Sequence, residues 1–346
     1  MSEWKCVSLE DVCTLVTSGG TPRTSNKEFY ADGNIPWLNT TEVNFCRVHS
    51  TARMITDAGL ANSAAKWIPA NSVIVAMYGA TAGKVAINKI PLTTNQACCN
   101  LVIDVAKADY RFIFYALINQ YPALSGLSNG AAQQNLNSII IRRFPISLPP
   151  LSTQRRIAHI LGTLDDKIEL NRRMNRTLEK MAAALFKSWF IDFDPVRRNA
   201  EGRDTGLPPD IANLFPDTFE DSDLGPIPKG WKAGSLGDVA DSPRRGVNPS
   251  DVPPTTPYIG LEHMPRRCIA LDAWGRAEDV ASGKSQFKQG EILFGKLRPY
   301  FHKVGIAPMD GVCSTDIVVI TPKSQDWHGY VVSLVSSKAF VDYTDS

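Results

Sequence analysis

A chain of 346 residues is long enough for about two or three domains, each with its own core. Its 43% apolar and 21% charged residues are ordinary for a globular protein, and a net charge of +2 favours no partner by itself. Its seven cysteines form no CxxC pair, which excludes a zinc ribbon and points to reduced thiols; no apolar run approaches about 18 residues, so a cytoplasmic protein without a membrane span is expected.

In chain order, residues 1–150 read as short strands and turns. Residues 73–77 and 101–103 are predicted strands; Gly19-Gly20-Thr21-Pro22 and residues 78–83 carry turn chemistry. A helix is predicted over 109–120, and Ile139-Ile140-Ile141 reads as an extended apolar stretch halted by Pro145, Pro149 and Pro150.

A long helix is predicted from Ser152 or Thr153, after those prolines, to about Ile191. Ile157, Leu161, Leu164, Ile168, Asn171, Asn175, Leu178, Ala182, Leu185 and Trp189 alternate steps of four and three. That is a heptad seam, and its two central asparagines would fix register and partner at a cost in stability. At 1.5 Å per residue the rod is about 58 Å long. The bland alternative is an ordinary packed helix. Asp194-Pro195 is predicted to end it. Residues 199–230 then form a connector rich in Asp, Pro and Gly, and within 201–223 Arg203 stands against Glu201, Asp204, Asp210, Asp217, Glu220, Asp221 and Asp223.

At Trp231 the first module begins again. Trp4-Lys5 with Leu9-Glu10-Asp11-Val12 is answered by Trp231-Lys232 with Leu236-Gly237-Asp238-Val239. Pro36-Trp37 is answered by Pro257-Tyr258, Lys84-Val85-Ala86-Ile87 by Lys303-Val304-Gly305-Ile306, and Asp109 and Leu117 by Asp326 and Leu334. The offset drifts by single residues, as loop insertions make it. The expected segments are a module over 1–150, a helix over 151–198, a connector over 199–230 and a second module over 231–346. Ser346 falls opposite Asn129, so the second copy is expected to be incomplete, without counterparts of Gly130 to Arg143 or of the long helix. Two similar modules on a rod suit a ligand with two similar half-sites, of which DNA is the commonest.

Catalytic motifs are missing. Gly79-Ala80-Thr81-Ala82-Gly83-Lys84-Val85 has too few residues between its glycines for a phosphate loop, and valine where a Mg²⁺-binding hydroxyl belongs, so it reads as a tight turn presenting Lys84. The five histidines scatter without a metal-like partner. There is no GxSxG elbow, no GxGxxG loop and no Asn- or Asp-Pro-Pro-aromatic tetrapeptide of amino-methyltransferases. No catalytic residue, metal or cofactor is expected. Candidate DNA-binding residues are the polar and aromatic side chains of loops. In the first module these are Thr21, Arg23, Asn26, Asn39, Tyr78, Lys84, Gln133, Gln134 and Asn135, with Trp37 read as core before reader. In the second they are Arg244, Arg245, Tyr258, Glu262, Lys296, Arg298 and Lys303. Asn and Gln can bind adenine in bidentate fashion and Arg guanine, while Lys and Arg mainly hold phosphates. The three amides Gln133, Gln134 and Asn135 on a small-residue loop are the strongest signal, since they serve no obvious packing purpose.

Taken together, the chain resembles the specificity subunit of a type I restriction-modification system. The resemblance runs from Gly19-Gly20-Thr21-Pro22-Arg23 and Ile35-Pro36-Trp37, through Gly130 to Asn135, into Phe144-Pro145-Ile146 and Leu151-Ser152-Thr153-Gln154-Arg155-Arg156-Ile157. It continues in Leu164-Asp165-Asp166-Lys167-Ile168 and in Trp189-Phe190-Ile191-Asp192-Phe193. It implies an α+β fold with two similar target recognition domains, mixed α/β with twisted sheets, separated by a long coiled-coil-forming helix. It implies that each domain reads one half of a split double-stranded DNA target. The helix, paired antiparallel with a distal one, would set the spacer and dock the methyltransferase subunits. S-adenosylmethionine, ATP and Mg²⁺ would then sit on the methyltransferase and restriction subunits. The distal helix is expected to have no counterpart here, so with the seam of Ile157, Leu161, Leu164, Ile168, Asn171, Asn175, Leu178 and Leu185 uncovered, the isolated chain is expected to pair its helix with that of a second copy, to aggregate, or to require the methyltransferase for solubility. The competing reading is a duplicated protein- or carbohydrate-binding module dimerised through the helix, which the acidic connector and low net charge would suit.

Overall fold

A computed structural model describes residues 4–127 and 135–345. The chain forms two compact units, Met1–Ile168 and Glu169–Ser346, each with its own sheets and core. The boundary falls inside a single helix, Leu151–Phe190, whose ends lie within two residues of those expected.

In the first unit a five-stranded sheet runs in the order Cys13–Ser18, Cys98–Ile103, Val73–Ala76, Val85–Asn88, Cys46–Val48. Neighbours are antiparallel except the last pair. Every residue of Val73–Ala76 is buried, as an unbroken apolar run requires when both faces of a sheet are covered. Val73 and Val75 meet the helix Tyr110–Asn119, which buries Phe112, Ile113, Phe114 and Leu117. Ile74 and Ala76 face Leu38, Val48 and Leu92. Asp109 caps that helix by accepting from the backbone N–H of Arg111 and Phe112. Arg53–Ile55, Ile35–Leu38 and Thr93–Thr94 form a smaller sheet. Lys5–Ser8 pairs with Pro145–Leu148, closing the unit just before the long helix. The isoleucine run expected to be extended is instead a short helix, Ser138–Arg142. The Asn137 side chain caps it by accepting from Ile140 N at 2.9 Å, and only Ile141 is buried, so a local cap overrides the β preference of the branched residues.

The first half of the long helix belongs to this unit. Ala158 is buried and Ile157 packs against the same core. The buried Gln154 accepts from Asp109 N (3.1 Å) and donates to Pro149 O (2.9 Å). Arg47 pairs with Asp166 and donates to Gly162 O at 3.0 Å, and Tyr115 donates to Asp165 at 2.7 Å. Burial and the Asp165 contact push the Tyr115 phenol up to about 12.

The second unit repeats the plan. Its four-stranded sheet runs Ala240–Asp241, Ile317–Pro322, Ile292–Gly295, Val304–Ile306, the same order as the first four strands above. The helix His328–Val335 buries Val331, Val332 and Val335 against Ile292, Phe294 and Ile320, as Tyr110–Asn119 does in the first unit. A single parallel bridge, Ala270 to Ile306, stands where the fifth strand would be. Ser8 with Asp11, and Ser235 with Asp238, make the same capping box at the start of each unit. Ile35–Leu38 pairs in parallel with Thr93–Thr94, and Pro257–Ile259 pairs in parallel with Gly311–Cys313.

The second half of the long helix is seated here. Glu179 accepts from Ile269 N (2.9 Å) and Ala270 N (3.2 Å), and Arg172 pairs with Asp272 at 2.8 Å. Phe186 and Phe190 meet Tyr330, Phe190 meets Trp231, and Trp189 meets Phe215, with ring centres 5.1 to 5.7 Å apart. The connector is therefore tied down through Phe215. Asp194-Pro195 does more than end the helix: after Phe193, in the left-handed region, it opens a second short helix, Asp194–Ala200.

Candidate nucleic-acid interface

Strand direction gathers the predicted site residues of the first unit at one rim of its sheet. Cys13–Ser18 ends there, Cys98–Ile103 begins there, Val73–Ala76 ends there and Val85–Asn88 begins there. The loops at that rim carry Thr21 and Arg23, then residues 95–97, then Tyr78 to Lys84. Backbone bonds stitch them together: Gly20 N to Thr94 O (2.9 Å), Met77 N to Ala97 O (2.8 Å) and Leu136 N to Met77 O (2.9 Å). The last bond sets Asn135, which is exposed, beside the Tyr78 turn. Asn39 joins the rim through Asn95, whose backbone N–H donates to Leu38 O at 3.0 Å. Asn39 itself caps the turn Thr40–Glu42. Gln133 and Gln134 lie outside the described residues.

This rim demands glycine. A Cβ on Gly19 would stand 1.9 Å from Thr94 O, and Gly79 and Gly83 hold φ of +70° and +81°. Arg23 and Tyr78 are exposed, and the Thr21 hydroxyl donates to Gln96. Lys84 donates to Asn44 Oδ1 at 2.8 Å and lies 5.9 Å from the Phe45 ring centre. Gln96, Asn44 and Phe45 were missed from the sequence, because only the folded rim brings them to the predicted residues. Trp37 is core, donating its indole N–H to Gly20 O at 2.9 Å.

The equivalent rim of the second unit carries Arg244, Lys296 and Arg298, all exposed. Lys296 N donates to Asp316 O (2.9 Å) and Ser314 N to Ile259 O (3.0 Å), binding the loops as in the first unit. Arg244, Lys284 and Lys296 line one polar cleft there. Three residues named from the sequence do other work. Tyr258 is only 8% exposed and packs with Ala277 and Val312, so its ring is core. Arg245 turns to Glu291, at the far end of Ile292–Gly295 from Lys296. Burial alone would raise the Glu291 carboxyl, but bonds from Arg245, the Thr321 hydroxyl and Lys288 N hold it below the usual range. Lys303 is half-buried and gives its ammonium to Leu261 O.

Along the long helix the seam residues divide. Ile157 is taken up by the core of the first unit and Leu161 is half-buried. Leu164, Ile168, Leu178 and Leu185 stay about half exposed, and Ile160, Met174 and Met181 join them, so the open stripe is rotated slightly from the one read in the sequence. Asn171 and Asn175 are exposed on the same helix. Among the described residues no His, Cys, Asp and Glu cluster is placed to hold a metal, and no helix is long and apolar enough to cross a membrane.

Two copies of one sheet-and-helix plan, each carrying polar loops at the same rim, make this a duplicated protein built on an α+β fold. The family described as "Type I restriction modification DNA specificity domain" matches residues 1–180, and the chain belongs to it. It is 28% identical over 272 residues to the type I restriction enzyme MjaIX specificity subunit of Methanocaldococcus jannaschii, covering 76% of this chain and 58% of that protein. It is 29% identical over 222 residues to the HindI specificity subunit of Haemophilus influenzae, covering 62% of this chain and 46% of that one. The chain thus spans about half the length of these relatives. The crystal structure of the type I restriction-modification S subunit from M. genitalium matches with a TM-score of 0.53 at 14% identity, over 99% of this chain and 79% of that one, a likeness of fold.

Proposed function

We propose that the chain is a non-catalytic DNA-recognition subunit of a type I restriction-modification complex, acting in the cytoplasm. Each unit reads one half of a split duplex target with the rim described above. The observation that carries this reading is the shared rim: in both units the exposed cationic, amide and aromatic loop residues collect at the same end of the same sheet. In the first unit Asn135, with its neighbours Gln133 and Gln134, supplies base-edge contacts while Arg23 and Lys84 hold phosphates. In the second unit Arg244, Lys296 and Arg298 do both. Tyr258 and Arg245 drop out as readers, and Lys303 buttresses its turn.

The helix sets the spacing of the half-sites. Its open stripe of Leu164, Ile168, Leu178 and Leu185, with Asn171 and Asn175, docks the methyltransferase subunits or the same helix of a second copy. S-adenosylmethionine, ATP and Mg²⁺ belong to the methyltransferase and restriction subunits. The test is duplex binding over a salt series. Lys84→Ala is expected to weaken binding to all sequences and lower the salt slope by about one unit. Asn135→Ala is expected to lose about 1–3 kcal/mol at a single base position. Variants that behave identically across a panel of mutated targets would overturn the division between readers and anchors; no salt-dependent duplex binding by the wild-type chain together with its methyltransferase subunits would overturn the function.

A further inference from the structure

The second unit's rim turn carries large side chains where the first unit's carries small ones. Between Ile292–Gly295 and Val304–Ile306 the chain runs Lys296-Leu297-Arg298-Pro299-Tyr300-Phe301-His302-Lys303. Leu297 and Tyr300 are each 52% exposed, Leu297 between the cations Lys296 and Arg298 and Tyr300 two residues beyond Arg298. Isolated exposed apolar residues need no explanation, but these two sit on a turn held stiff from several sides. Arg298 and His302 both occupy the left-handed region (φ +53° and +49°), and Pro299 removes freedom between them. Phe301 N donates to Arg298 O at 3.0 Å and His302 N to Pro299 O at 2.7 Å. From outside, Arg267 N donates to His302 O at 2.9 Å, and the Arg266 guanidinium stacks 3.8 Å from the Phe301 ring centre. Phe301 in turn backs Tyr300 edge-on, with ring centres 4.7 Å apart. Non-glycine residues persist in such backbone only where the surroundings over-determine it.

We propose that this turn is a wedge: Tyr300, with Leu297 beside it, inserts at a base step of the half-site read by the second unit, unstacking it while Lys296 and Arg298 hold the flanking phosphates. The inference rests on the DNA-reading function above and deepens it. Apolar side chains on cationic supports enter base steps in this way and kink the duplex, and a preformed turn has little ordering left to lose on binding. The equivalent turn of the first unit carries one exposed ring, Tyr78, followed by Gly79-Ala80-Thr81-Ala82-Gly83, and cannot fill a base step in the same way. The two half-sites are therefore read differently, the first without distortion and the second with it.

The test uses the full chain, with its methyltransferase subunits if binding requires them. Duplexes retained from a pool with a randomised core are sequenced, and the consensus is scanned with 2-aminopurine, which brightens when it unstacks. Brightening is expected at a step in one half-site only. Tyr300→Ala should abolish it and weaken binding about ten-fold, the effect of losing one stacked ring. Tyr300→Phe should keep both, while Arg298→Ala should leave the brightening and lower the salt slope by about one unit. Unchanged melting of Tyr300→Ala excludes misfolding. Sequence-specific retention with no brightening at any step, or brightening that survives Tyr300→Ala, would overturn the wedge and leave the recognition function standing. Failure to retain any duplex would overturn both.

Discussion

The turns at 79–83 and 298–302 occupy the same place in the two units and adopt the same kind of backbone with different residues. The first places Gly79 and Gly83 in the left-handed region; the second places Arg298 and His302 there. The strands on either side keep their order and pairing. What is held constant is the path of the chain; what varies is the side chain presented at the rim. Glycine takes that path freely, whereas an L side chain pays about 1–2 kcal/mol for it. That cost is borne in loops, at Arg298 and His302 as at Asp32, Phe45, Asn71, Phe193 and Arg267, and at no described strand residue.

That comparison can be broken in three places. The largest effect is expected at Gly19, where a Cβ would meet Thr94 O at 1.9 Å. Gly19→Ala should destabilise the first unit by about 3 kcal/mol through overpacking. Hydrogen exchange should show lost protection in Val73–Ala76 and unchanged protection in Ile292–Gly295. A smaller effect is expected from exchanging the turn residues. Gly79 has open space around its absent Cβ, so Gly79→Ala should cost about 1 kcal/mol from backbone strain alone. Arg298→Gly should change stability in the opposite direction or not at all, since relieved strain is offset by a freer unfolded chain. Equal losses in both variants, seen in denaturant midpoints, would show that the two turns are not equivalent.

The smallest effect is in pH. Burial, then the nearby Arg267, holds the His302 imidazole below its ordinary value of about 6.5. The unfolded chain therefore binds a proton more readily than the folded one. The contribution of His302 is complete above about pH 6.5 and is lost as pH falls through that value toward the lower folded one. Melting of the second unit should fall over this window, and His302→Asn, which keeps a residue tolerant of positive φ, should remove the dependence.

The sequence made the duplication, the long helix and the rim loops legible for separate reasons. Paired motifs such as Lys84-Val85 and Lys303-Val304 mark strands whose neighbours are local, so their spacing survives in the chain. The helix announced itself through prolines before it and a regular period within it. Tyr258 was grouped with the polar and aromatic loop residues, although Trp37, its counterpart in the repeat, was read as core; its ring is core too. Arg245 looked like the twin of Arg244, yet successive residues of an extended segment point to opposite sides, and only Arg244 reaches the cleft beside Lys296. Gln96, Asn44 and Phe45 were invisible because their proximity to Thr21 and Lys84 depends on the sheet order, which no local pattern encodes. The seam was displaced because Ile157 and Trp189 are claimed by the units themselves, leaving Met174 and Met181 in the open stripe.

The central claim is that both rims read DNA, each its own half of one target. Footprinting of the chain with its methyltransferase subunits on the selected duplex tests it most directly. Two protected, sequence-dependent blocks separated by a spacer of indifferent sequence are predicted, about one helical turn apart if both rims meet the same face of the duplex. Arg23→Ala or Asn135→Ala should weaken one block, and Arg244→Ala or Lys296→Ala the other. A single uninterrupted protected motif, or two blocks that respond together to every one of these substitutions, would contradict the account.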